Sequence, residues 1–190
     1  GIQGGVRRGT PPFWQAAYDR IAADDPGPVT VRHDYDNYIL ASQSSILKKY
    51  SGAVETYADV LPTPASKIRD FYYSDKAYFV GMDPVAGWND AVMRFNAALG
   101  SDLQGDLHLV LVDMQATKNP DEFVGALNAH WTGRDFKRDA LSKNALVVVL
   151  GTDGQTIRWA RAFTGMPVGN EARLADIKRE MLGQDFNPSV

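Results

Sequence analysis

The 190 residues carry 20 Lys and Arg against 23 Asp and Glu, a formal charge of −3, with 44% hydrophobic and 23% charged residues. These proportions fit one soluble globular domain, alone or with an extension, and exclude collagen-like, disordered and disulfide-rich classes. The acidic balance gives no global basic field for nucleic acid, and zero cysteines remove thiol nucleophiles, Cys–zinc sites, iron–sulfur clusters and disulfides.

Gly1-Ile2-Gln3-Gly4-Gly5 opens a stretch, residues 1–9, with the composition of a flexible leader. Thr10-Pro11-Pro12 is a helix start, with Thr10 as N-cap, and the spacing predicts a helix over 12–23. Asp25-Pro26-Gly27-Pro28 ends it, and Val29-Thr30-Val31 has the composition of a brief strand. From Asp36 onward Ile39, Ile46, Tyr50, Val54, Tyr57 and Leu61 recur at helical spacing, as one bent helix or two, stopped by Pro62 and Pro64. Phe71, Tyr72, Tyr73, Tyr78 and Phe79 follow as an aromatic group suited to a core edge. Residues 10–80 are therefore expected to form an N-terminal helical segment, and 81–190 an α/β domain.

Within 81–190, Asp83-Pro84 is expected to start a helix with the stripe Val85, Trp88, Val92, Phe95 and Leu99, closed by Gly100. Residues 107–112 form an apolar run of strand length ending at Asp113. Asn119-Pro120-Asp121-Glu122 caps the next helix, which should bury Phe123, Val124, Leu127 and Trp131. Residues 145–150 read as a second buried strand, returning through Thr152-Asp153-Gly154-Gln155 as a hairpin over 156–163. Asn170 caps a last helix carrying Leu174, Ile177 and Met181 inward. Two apolar strands joined by a helix predict a parallel pair with a right-handed connection, and the hairpin adds an antiparallel neighbour. The fold class is α/β: a mixed sheet flanked by helices, with an N-terminal helical extension. The longest apolar run, six residues, falls far short of the roughly 20 that span a bilayer.

Strong catalytic motifs are missing: there is no phosphate loop, no dinucleotide fingerprint and no Gly-x-Ser-x-Gly elbow. No organic cofactor is expected. His33, His108 and His130 lie far apart and form no metal pair; His108 and His130 read as structural. His33-Asp34-Tyr35-Asp36-Asn37 is the densest polar cluster, with Asp34 and Asp36 as helix caps or, alternatively, a phosphoryl-handling Asp pair. Arg134, Lys137, Arg138 and Lys143 make one loop locally basic. Asp113 ends the first parallel strand, and Thr152 and Asp153 end the second. Open α/β sheets place ligands at the carboxyl ends of their strands. These three residues form a candidate oxygen site for Ca²⁺ or Mg²⁺.

Across 106–165 the order runs Leu107-His108-Leu109-Val110-Leu111-Val112, Trp131-Thr132-Gly133, Asn144-Ala145-Leu146-Val147-Val148-Val149-Leu150, Asp153-Gly154 and Gly165. In this order the chain resembles the TPM-domain family, which includes a plant thylakoid-lumen acid phosphatase and many bacterial membrane-anchored proteins. Ala145 stands where that family usually has Gly. The resemblance implies a Rossmann-like α/β/α sandwich and divalent-metal binding. It further implies an extracytoplasmic (periplasmic) interaction or assembly module with a protein partner at a membrane, anchored by sequence outside these residues. The alternative it implies is a metal-assisted phosphatase acting on phosphomonoesters.

Overall fold

The computed structural model describes residues 12–24, 49–64, 67–68, 72–132, 141, 144–165 and 171–188. The chain forms two compact units, 1–36 with 67–72, and 37–66 with 73–190. In the first, α1 (Pro12–Ala22) matches the predicted helix to within a residue. It exposes Phe13 and Trp14, packed edge to face at 5.4 Å. A two-residue ladder joins β1 (Lys67–Ile68) to β2 (Tyr72–Tyr73).

The second unit is the α/β sandwich. Its elements are α2 (Ser51–Thr56), β3 (Ala77–Val80), α3 (Trp88–Leu103), β4 (Asp106–Asp113), α4 (Pro120–Thr132), β5 (Ala145–Thr152), β6 (Ile157–Thr164) and α5 (Glu171–Met181). The sheet order is β3-β4-β5-β6. β3, β4 and β5 are parallel and β6 runs antiparallel to β5. Residues 77–80, read from sequence with the helical extension, are thus the first strand of the sheet. Their four residues are too few for alternation to separate a strand from an aromatic loop.

Both faces are covered, as a continuous apolar β5 requires. Val110, Val112, Val147 and Val149 meet Phe123, Ala126, Leu127 and Trp131 of α4, with Ala53 of α2 and Leu61 beyond it. Leu109, Leu111, Val148 and Leu150 meet Trp88 and Val92 of α3 and Leu174 of α5. The two crossovers step the same way across the sheet yet place α3 and α4 on opposite faces, so their hands differ. In β4 the N–H of Asp106 donates toward β5, to Asn144 O, while that of Leu109 donates to Lys76 O beside β3. With L-residues this direction sets Val110 and Val112 on the side that makes β4–α4–β5 right-handed, as predicted. The connection β3–α3–β4 is left-handed, a hand found in only about 2% of such units.

Two expected boundaries shift. α3 begins at Trp88, not after Asp83, because Gly87 sits at φ +91° and breaks the helical run. It also runs past Gly100 to Leu103, closed by Gln104 at φ +53°. Its buried row is Trp88, Val92 and Asn96, spaced i, i+4, i+8, whereas Val85 and Phe95 are exposed. α4 follows the sequence closely: the Asn119 side chain accepts the N–H of Glu122 at 3.2 Å. At the β5–β6 ladder, Gly151 faces Trp159. A Cβ on Gly151 would stand 2.0 Å from the indole, so the glycine makes room for the ring.

Candidate functional site

Asp113 and Thr152 are register partners at the adjoining carboxyl ends of β4 and β5, and Asp153 follows at once. The two acidic strand ends therefore share one rim. Their oxygens have local work there. Asp113 Oδ1 accepts the N–H of Gln115 at 2.8 Å. Thr152, fully buried, donates its hydroxyl to Thr156 O and accepts from Gly154 N–H. Asp153 Oδ1 accepts from Gln155 and Thr156 N–H, and its Oδ2 accepts from Arg158 Nε at 2.6 Å. These bonds to the ionised form, the two backbone donors first, hold the Asp153 carboxyl down to about 2. Gly154, at φ +91°, lets the turn close around it. Among the described residues no group of three or more His, Asp or Glu side chains is placed to hold a metal ion. Asp34, Asp36, His33, Asn170 and the basic loop of Arg134, Lys137, Arg138 and Lys143 lie outside the described residues. His130 pairs its Nε2 with Thr63 Oγ1 at 3.1 Å.

At the opposite, amino ends of the strands the sheet carries a polar cluster that motif reading missed. Lys76 Nζ donates to Asp106 Oδ2 at 2.8 Å, and His108 Nε2 meets the same oxygen at 3.1 Å. Lys76 is fully buried and His108 nearly so, while Asp106 is 26% exposed. Tyr78 stacks on the imidazole and Trp131 meets it edge-on. Asn96 clamps the start of β4, donating to Leu107 O and accepting from Leu107 N–H, as a neighbouring strand would. The available signal was two polar residues, Asp106 and His108, at a spacing of two on one face of an otherwise apolar strand. Their partner Lys76 is 30 residues away in sequence, and only the β3–β4 register delivers it.

Burial pushes the Lys76 ammonium below its ordinary value, against the pull of Asp106. Burial likewise holds His108 below its ordinary value, with the Lys76 charge acting in the same direction and Asp106 opposing it. Burial resists ionisation of Asp106, but the bonds and charges of His108 and Lys76 outweigh it, and its carboxyl lies below the usual range. At neutral pH this is an ammonium–carboxylate pair beside a neutral imidazole. The Nδ1 of that imidazole is buried without a hydrogen-bond partner.

A pH dependence follows. His108 binds its proton more readily in the unfolded chain, so its contribution is complete above about pH 6.5 and is lost as pH falls toward the lowered folded value. Asp106 acts later, its contribution present above the ordinary value of 3.8 and lost as pH falls through the depressed one. Melting temperature should therefore fall in two stages on acidification. His108→Gln should flatten the first stage and weaken the second, because His108 supplies the leading bond that lowers Asp106.

The third feature is a cleft of about 430 Å³ along β3, lined by Asp75, Ala77, Phe79, Asn89 and Asp90 with the turn 84–87. Asn89 anchors its floor, its Oδ1 accepting the N–H groups of Lys76 and Ala77. No protein-family model matches the chain, and neither does any curated protein or solved structure.

Proposed function

We propose that this chain is a protein-interaction module whose working surface is the outer edge of β3 and the cleft beside it. One observation carries the proposal: β3 ends the sheet with backbone groups unpaired among the described residues, next to an open, partly apolar hollow. The extracytoplasmic, membrane-side setting comes from the TPM resemblance, with which zero cysteines are compatible. No helix among the described residues is long and apolar enough to cross a membrane.

A photo-cross-linking residue at Val85, on the cleft wall, and another at Glu180, exposed on α5, test this in cells that make the protein. An adduct of defined mass from position 85 alone is expected. No adduct, or equal adducts from both positions, would contradict it.

A divalent cation at the strand-end rim is the second reading, favoured by Asp113 and Thr152 standing opposite each other. There a metal would supply charge for a phosphomonoester. Saturating Ca²⁺ or Mg²⁺ should then raise the melting temperature, and Asp113→Asn should abolish the rise. An unchanged melting temperature removes the cation and the metal-assisted phosphatase together.

A further inference from the structure

We propose that β3 accepts an extended peptide from a partner protein as a fifth strand, with an apolar side chain in the cleft and a Lys or Arg against Asp75 and Asp90. The proposal rests on the interaction-module reading and specifies its ligand.

The backbone direction along β3 gives the first part. Leu109 donates to Lys76 O, so in a parallel ladder the Lys76 carbonyl and the backbone groups of residues 78 and 80 turn toward β4, the Lys76 N–H being taken by Asn89. Ala77 and Phe79 turn theirs away. The N–H of Ala77 is taken by Asn89 at 3.2 Å. The carbonyl of Ala77 and both backbone groups of Phe79 meet no described partner. An alternating row of N–H and C=O groups is matched by one kind of chemistry, another extended backbone.

The other end of the sheet shows what a closed edge looks like. There the C-terminal residues cover the start of β6: Ile157 N–H donates to Gln184 O, and Gly183 N–H donates to Ile157 O. Further along β6, Arg158 and Arg161 are held by Asp153 and Asp121. Charges and covering segments of this kind are how proteins blunt sheet edges. Ala77-Tyr78-Phe79-Val80 has no charge and no proline, and among the described residues its protection is its shortness. Four residues allow only a few ladder bonds, so side-chain contacts must add specificity. Phe79, Pro84 and Val85 offer apolar wall, and Asp75 and Asp90 make the lining acidic. An apolar strand flanked by a cation complements both.

The probes are three fluorescein-labelled octapeptides, tested by anisotropy on the full chain. The first is Lys-Thr-Val-Thr-Val-Thr-Val-Lys. The second has Glu at both ends, and the third is the first with alternate amides N-methylated. The first should bind, and the other two should bind at least about tenfold more weakly. Asp90→Lys, an exposed position, should reverse the preference between the first two. Equal binding of the N-methylated peptide overturns strand addition, and equal binding of the Lys and Glu peptides overturns the charge match. Failure of all three with the Val85 adduct intact refutes the strand mode and leaves the module standing. Failure of both refutes both.

Discussion

Asp106→Ala should lower the unfolding free energy by about 3 kcal/mol in urea denaturation at pH 7. Removing the carboxylate takes from the fully buried Lys76 ammonium its ion-pair partner at 2.8 Å. Breaking a buried pair by removing one partner costs more than the intact pair contributes. Lys76→Met should cost less, because Asp106 is 26% exposed and regains water. The two variants also differ in pH response. With Asp106 gone, Lys76 loses the group that raises its proton affinity, so the fold binds fewer protons than the unfolded chain below the ordinary value of 10.5. The deficit of Asp106→Ala should therefore shrink as pH rises toward 10. A deficit independent of pH would mean that the lost packing, not the lost ion pair, is responsible.

Trp131→Ala should be more damaging, by about 4 kcal/mol, the range for truncating a fully buried tryptophan. Trp131 is 1% exposed and lies edge-to-face with Tyr78 at 5.1 Å and with His108 at 5.7 Å. Its indole N–H donates to Pro62 O at 2.6 Å, tying the segment after α2 to α4. Trp131→Phe keeps most of the apolar contact and loses that bond, and should cost about 1–2 kcal/mol. Far-UV circular dichroism during urea titration reads both values. An alanine cost no greater than the phenylalanine cost would show that packing around the cluster contributes little.

The second half of the fold was legible because several signals coincide there. Asn119-Pro120 with two acids after it fixes the start of α4, and Phe123, Leu127 and Trp131 keep their spacing into the core. The runs of β4 and β5 are long and wholly apolar at their centres, so their existence and parallel pairing could be read. β3 was not legible, since it is four residues long and its aromatic composition reads equally as a loop. The start of α3 was misplaced because Asp83-Pro84 carries a helix-start signal, while the left-handed Gly87 that overrides it leaves no unique mark in sequence. The left-handed crossover could not be read either, since it depends on which side of β4 receives β3.

The sites divide in the same way. Asp113, Thr152 and Asp153 were found from strand ends, and the structure does bring those ends together. Sequence could not show that the Asp153 oxygens are taken by two backbone N–H groups and Arg158. The Lys76–Asp106–His108 cluster depends on a register between strands 30 residues apart. The cleft depends on β3 being an edge, which is a property of sheet order and not of any local pattern.

Residue-resolved amide hydrogen exchange on the isolated chain tests the open edge directly. Tyr78 and Val80 direct their N–H groups to β4 and should be protected, while Phe79 between them should exchange at a rate close to that of an exposed amide. That alternation, slow, fast, slow, is the expected result. A Phe79 amide as protected as its two neighbours would show that the edge is already covered, and would contradict the docking surface proposed for this protein.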